Sequence, residues 1–284
     1  LKAANMRVIC GQSERSLAFK DDPAIIGWMH DDEPDNAQSL GTGKGYGPPI
    51  TPEVIVRDYQ RMRAADPSRP VLLNLGQGVA YDNYIGRGVR RNHPEDYPAY
   101  VKGADIVSFD IYPVVHDRPE IAGKLEYVPH GVQRLVQWTG GLKPVWNCIE
   151  CTRISNLDVK PAPRQVRSEV WMSLIHGSRG LIYFVHQFKP VFREAALLDD
   201  AAMLAEVTAI NRQIHELAPV LNSPSLPGLA AAKSSEPEVP LSLLVKRHKD
   251  STYLFAAAMR NRPTSGAFTL RNPPEAATVE VLGE

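Results

Sequence analysis

Cysteine is scarce, with three residues in 284, too few for the disulfide framework by which small secreted domains replace a large core. Cys148 and Cys151 have the two-residue gap of a redox or zinc half-site. Cys148 falls inside an apolar run, however, and no second Cys/His pair follows at zinc spacing, so the thiols read as buried and free. No apolar stretch approaches the roughly 20 residues that span a bilayer, which argues against a membrane helix. Neither sign of charge is in excess. Lys and Arg number 32, as do Asp and Glu, and the pI is about 7.2. Nucleic-acid binding needs a concentrated basic face, and the one basic cluster, residues 87–91, reads as a solvated loop. The first ten residues lack the apolar block and small-residue cleavage site of a signal peptide. They read as a helix end running into a strand, which predicts that the sequence begins part-way through a domain.

What the chain does have is a regular alternation of buried-strand and helix signals, in a length that suits one large domain plus a small one. Strands are expected at 6–11, 24–29, 70–75, 104–111, 144–150 and 180–185, most of them near-continuous apolar runs of the kind that is covered on both faces. Helices are expected between them. Thr51-Pro52 gives the N-cap and first position of one, and further helices are expected at 97–102, 125–139 before Gly140-Gly141, 164–176 before Gly177, and 200–217. The long Gly-rich segment 35–49 is expected to be a wall or lid over a site.

This alternation implies parallel strands joined by right-handed crossovers, an α/β fold of the (β/α)8 TIM-barrel type. Six strands are two short of closure, which predicts units upstream of Leu1; an open doubly wound sheet is the alternative. Pro, Ser, Ala and Glu dominate 223–240, a linker composition. Beyond it, 241–246, 252–259, 267–270 and 278–282 read as short antiparallel strands of a β-sandwich-like appendage. The expected division is therefore a barrel domain 1–222, a linker 223–240 and a β-domain 241–284.

Two strands end in glutamate. Ala24 to Met29 runs into His30-Asp31-Asp32-Glu33-Pro34, and Pro144 to Ile149 runs into Glu150. In parallel α/β folds ligands bind at the carboxyl ends of strands. Two carboxyl groups there can cleave a glycosidic bond, one protonating the leaving oxygen and the other acting across the sugar ring. Each residue also has a blander reading. The acids at 31–35 can form a solvated turn, and Glu150 can pair with Arg153. His30 with its acids can form a metal site, although no second histidine has ligand spacing nearby. Trp28 and Trp146 suit barrel packing, and Trp146 equally suits a sugar face. Asp110 suits a sugar hydroxyl or a strand-end amide. His186 follows the last strand, within reach of a substrate, and His176 ends a helix.

The run Gly27-Trp28-Met29-His30-Asp31-Asp32-Glu33-Pro34 resembles the fourth strand of clan A retaining glycoside hydrolases, where an Asn-Glu-Pro or Asp-Glu-Pro sequence carries the acid/base. Trp146-Asn147-Cys148-Ile149-Glu150 resembles the seventh, which carries the nucleophile, with two strands correctly interposed. Residues 207–221 resemble the final barrel helix, and 251–256 a strand of the β-domain that often follows. The resemblance implies a retaining β-glycoside hydrolase acting on carbohydrate, such as a polysaccharide-degrading enzyme, with Glu33 as acid/base and Glu150 as nucleophile. Tyr112 would hydrogen-bond the nucleophile, and Asp32, Asn74, Asp110, Trp146 and His186 would line the substrate. No cofactor, metal, nucleic acid or membrane partner is implied, and a secreted or periplasmic location is. Asp32 stands where many such families have asparagine, and its charge should raise the pKa of Glu33, which suits a proton donor. The rival readings are a carbohydrate-binding barrel without catalysis, a scaffold, and a metal-assisted hydrolase at His30.

Overall fold

The computed structural model of the protein describes residues 2–272 and 278–282. The chain divides into two compact units, residues 1–207 and 208–284. In the first, strands β1 (Val8–Gly11), β2 (Ile25–Met29), β3 (Val71–Leu75), β4 (Ile106–Asp110), β5 (Val145–Glu150) and β6 (Gly180–Phe184) alternate with helices. These are α1 (Glu14–Leu17), α2 (Pro52–Ala65), α3 (Tyr97–Tyr100), α4 (Tyr127–Trp138), α5 (Pro163–Ile175) and α6 (Ala201–Leu221), with the unit boundary falling inside α6. All six expected strands form, within two residues of their expected ends.

Every adjacent pair is parallel, and the spatial order is the sequence order, β1-β2-β3-β4-β5-β6. That order decides between the two expected architectures. Right-handed crossovers that always step in one direction lay every helix on the same face of the sheet, as in an arc of a barrel, whereas a doubly wound sheet reverses direction and covers both faces. The sheet is a curled half-barrel with its helices outside.

Alternation along the strands separates the two faces. Leu73, Leu75, Val107, Phe109 and Val145 point outward and pack, fully buried, against Ile55 of α2 and Val128, Val132 and Leu135 of α4. Gly131 of α4 is a requirement of this contact, since a Cβ there would stand 2.3 Å from the ring of Phe109. Trp28 also faces outward, packing on Met62 and Val71. Its Nε1–H donates to Asp66 Oδ2 at 2.9 Å, just past the end of α2.

The other face is the unusual one, because it is buried yet polar. Asn74, Ser108, Asp110 and Cys148 are each less than a tenth exposed there. Asn74 is the hub, accepting from Ser108 Oγ at 2.7 Å and from Cys148 Sγ at 3.6 Å.

Two expectations change. Residues 87–91 are solvated only in part: Val89 and Arg91 are exposed, but Arg87 is 1% exposed and lies between Asp35 and Asp96, because its charge has carboxylate partners from separate segments. In the second unit, β8 (Leu241–His248) and β9 (Ser251–Ala258) form an antiparallel hairpin, and β7 (Ala230–Ser234), within the Pro/Ser/Ala/Glu-rich segment, pairs with β10 (Gly266–Leu270). The expected strand at 278–282 does not form; its alternating pattern finds no partner strand among the described residues.

Candidate active site

The carboxyl ends of β2, β3 and β4 bring together Asp32, Glu33, Asn74, Asp110 and Tyr112. After β2 the chain turns sharply, and Glu33 takes a left-handed backbone conformation with φ of 45°. That region is costly for a residue with a Cβ, more so before Pro34, and such strain is concentrated at functional sites. Local bonds hold the turn. The carbonyl of Glu33 accepts from the Asn36 backbone N–H at 3.0 Å and from Gln38 Nε2 at 3.2 Å. Below it, the fully buried Asp35 accepts from the Gly76 N–H at 2.8 Å and the Tyr97 hydroxyl at 2.9 Å.

Glu33 is thereby aimed at Asp110. Asn36 Nδ2 donates to Glu33 Oε2 at 2.5 Å, and Tyr112 donates its hydroxyl to Asp110 Oδ2 at 3.1 Å. Between the two carboxyls acceptor meets acceptor, and Asp110 Oδ1 finds no donor. A proton held on one of them supplies the missing hydrogen bond. Burial is the largest influence on both and pushes both upward; the Glu33 and Asp32 charges add to it at Asp110, and the Asp35 and Asp32 charges add to it at Glu33 against the lowering hydrogen bonds from Asp110 and Asn36, so the pair retains a proton above the ordinary carboxylate range. Asn74 Nδ2 donates to Asp32 Oδ1 at 2.8 Å, leaving that exposed carboxylate at the rim.

Glu150 is placed differently. Strand alternation assigns it to the face of Cys148, but its side chain is fully buried and accepts from two backbone N–H groups of the segment after β4, Val114 at 2.6 Å and Val115 at 2.9 Å. The charged side chain that acts on it is Glu169, buried inside α5. Burial raises the Glu150 carboxyl to about 7, against the lowering effect of these bonds. Glu33 and Glu150 are not among the groups that perturb each other, and Arg153 donates to the Leu157 carbonyl at 2.9 Å instead of pairing with Glu150. Tyr112, expected beside Glu150, bonds Asp110.

The remaining candidates lie around these two centres. Tyr112 meets Phe184 at 5.3 Å between ring centroids, and Phe184 in turn meets His186 edge-on at 5.7 Å, so His186 reaches the rim through an aromatic chain. Trp146 lies across Gly180, where a Cβ would stand 2.5 Å from the indole. It is four residues, roughly 13 Å of strand, before Glu150. His30 donates Nε2–H to the Gly103 carbonyl at 2.8 Å, and burial lowers its pKa. Among the described residues no group of three or more His, Cys, Asp or Glu side chains is placed to hold a metal ion.

Four residues of the site escaped the sequence reading. Asn36 bonds Glu33, and Tyr84 feels the charges of Glu33 and Asp110 while burial raises its pKa. A Cβ on Gly76 would come within 3.0 Å of Asn36 and 3.1 Å of Glu33 Oε1, so only glycine lets the β3 turn pass so close. Glu169 had a usable signal. It falls at i+3 and Ser173 at i+7 from Val166, all on the buried side of α5.

No family model matches the sequence, and no curated protein does. Among solved structures, the chain resembles the endo-β-1,4-mannanase from Thermotoga petrophila, with 12% identity and a TM-score of 0.49 over 84% of this chain and 66% of that one. It also resembles the polyextremophilic β-galactosidase from the Antarctic haloarchaeon Halorubrum lacusprofundi, with 13% identity and a TM-score of 0.49 over 72% and 40%. A third is a GH5_18 protein from Streptomyces cattleya in complex with Manβ1-4GlcNAc, with 13% identity and a TM-score of 0.47 over 70% and 51%. The chain thus spans between 40% and 66% of the length of these structures. They are glycoside hydrolases, and at such identities the likeness concerns the backbone path and not the residues of the site.

Proposed function

We propose that this chain carries a glycosidase site that cleaves a β-glycosidic bond by double displacement, with Glu33 as proton donor and Glu150 as nucleophile. The observation that carries the reading is the Glu33–Asp110 pair at the open rim of the sheet. A general acid must keep its proton at neutral pH and give it up to a bound group, and burial beside a second carboxyl is the arrangement that does so. In the first step Glu33 would protonate the leaving oxygen while a Glu150 oxygen bonds the anomeric carbon. In the second, Glu33, now a carboxylate, would take a proton from the water that displaces Glu150. Asp32, Asn74, Tyr112 and His186 would offer hydrogen bonds to sugar hydroxyls, with burial and the charges of Asp35 and Asp32 favouring the protonated state of Glu33 and Asp110 sharing the proton with it. The domain division at 222 and 240 belongs with this proposal, the β-rich segment being an appendage to the barrel.

One observation favours a second reading. Glu150 has no solvent exposure, and each of its oxygens is engaged by a backbone amide. A carboxylate so enclosed suits a barrel that binds saccharide without cleaving it. The test is hydrolysis of a panel of aryl β-glycosides and β-linked polysaccharides by the wild type, Glu33→Gln and Glu150→Gln, with circular dichroism confirming the fold. The expected result is turnover of at least one substrate, reduced by about 100-fold or more in Glu33→Gln and abolished in Glu150→Gln. Wild-type rates in Glu150→Gln would overturn the nucleophile assignment. Saccharide binding by calorimetry with no hydrolysis would put the binding barrel in its place.

A further inference from the structure

Glu169 is the most anomalous side chain of the first unit. It is a carboxyl at 0% exposure in the middle of α5, and neither of its oxygens meets a donor. Unpaired buried carboxylates are among the costliest groups a fold can hold. Among the described residues, the charged side chain that acts on it is Glu150. Glu150 also lies at 0% exposure, with its oxygens already accepting from Val114 and Val115. Two adjacent carboxyls without cations are tolerable in one state, with a single proton between them. The protonated member then donates to the ionised one, and the ionised one keeps its bonds to the amides.

We propose that Glu169 is the positioning residue of Glu150: it carries a proton donated to Glu150 in a carboxyl–carboxylate hydrogen bond, and the pair anchors segment 110–115, which bears Asp110 and Tyr112. The segment joins this pair to the Glu33–Asp110 pair. At one end Asp110 meets Glu33, and at the other the amides of Val114 and Val115 bind Glu150, four and five residues further on. A charge or proton added to the inner pair therefore reaches the rim through a short stretch of backbone. Of other titratable groups, Cys151 follows Glu150 directly, and its thiol is pushed up to about 12, first by burial and then by the charges of Glu150, Glu169 and Asp200. Asp200 is held by Lys160. Among the described residues no Lys, Arg or His side chain shifts either carboxyl of the pair.

The inference shares Glu150 with the proposed reaction but is read without turnover, so either stands or falls separately. The experiment is a pH titration of the backbone 15N–1H signals of residues 110–115 in the wild type, Glu169→Gln and Glu169→Leu. In the wild type the Val114 and Val115 signals should move in two steps, the lower near pH 7 as the first proton leaves the pair and the upper at higher pH as the second leaves. Asp110 and Tyr112 should follow with the same midpoints. In Glu169→Gln the amide still donates to Glu150, so the lower step stays and the upper one disappears. In Glu169→Leu Glu150 loses its donor and the remaining step moves up. Should the leucine variant not fold, the glutamine variant carries the result. Wild-type amides that titrate near the ordinary 4.5, or an upper step that persists in Glu169→Gln, would overturn the shared proton. Movement of Val114 and Val115 without Asp110 and Tyr112 would overturn the link to the rim.

Discussion

Replacing Asp35 by alanine tests the foundation beneath Glu33. Asp35 stands two residues after Glu33 and is fully buried. Its oxygens accept from the Gly76 N–H and the Tyr97 hydroxyl, and Arg87 Nε stands 4.0 Å from Oδ2. Arg87 is itself 1% exposed, with its guanidinium 4.7 Å over the Tyr97 ring and Nη2 3.4 Å from Asp96. Asp35→Ala leaves the buried arginine with Asp96 as its remaining carboxylate, beside the residue 35 and His93 carbonyls to which it donates at 3.3 Å, and deprives two further donors of their acceptor. Removing one member of a buried ion pair costs about 3–5 kcal/mol. Burial is the largest influence on the Asp35 carboxyl and pushes it upward against these partners, which places the expected loss toward the lower end of that range. With roughly 2–4 °C per kcal/mol for a body of this size, the melting temperature should fall by roughly 6–12 °C. The assay is urea unfolding followed by tryptophan fluorescence, for Asp35→Ala, Arg87→Met and the double variant. Removing both charges together should be cheaper than the two single losses combined, by about 1–3 kcal/mol. A loss below about 1 kcal/mol in Asp35→Ala, or additivity within about 0.5 kcal/mol, would refute the network as the support of the turn.

Two further predictions concern neighbouring contacts. Gly76→Ala should displace Glu33 and Asn36 outward, because the new Cβ would stand 3.0 Å from Asn36 and 3.1 Å from Glu33. The Glu33 titration, followed by 13C NMR of its carboxyl, should move down toward the ordinary 4.5 as burial is relieved, and an unchanged midpoint would refute the close approach. Trp28→Phe removes one donor from Asp66 and should cost about 1.5–3 kcal/mol in urea unfolding. Burial pushes the Asp66 carboxyl up, but donation from Ser68, Trp28 and Arg69 outweighs it and leaves the pKa depressed. Its contribution is therefore present above the unfolded value of 3.8 and lost as pH falls through the folded one, so acid unfolding of the variant should begin at higher pH than in the wild type.

What the sequence made legible was whatever is local. Apolar runs bounded by Gly and Pro located all six parallel strands, and Thr51-Pro52 located the start of α2, because caps and periodicity act within a few residues. Glu33 and Asp110 could be placed at strand ends for the same reason. Side-chain direction at those ends was not legible. Alternation gave Glu150 a face, but the two amides of segment 114–115, brought in by another strand, decide where its carboxylate goes. Arg87 looked solvated because its partners Asp35 and Asp96 come from other segments. Glu169 was hidden differently, as a charged residue in a helix is ordinarily taken for its wet side. The alternating residues 278–282 show the converse, a strand pattern that finds no partner strand among the described residues.

The sequential strand order has a kinetic meaning. Each of the five parallel pairings joins strands that are neighbours in the sequence, so each closes only the connection between consecutive strands. Loop-closure entropy grows only slowly with length, but pairings between distant segments must wait for both to be present, and they slow folding most. In this unit none of the strand pairings has to wait. Synthesis delivers roughly 5–20 residues per second, long compared with the microseconds in which secondary structure forms. Each strand can therefore dock on its predecessor before the next is made, and the rim that carries Glu33 and Asp110 can be assembled before α5 brings Glu169 to Glu150.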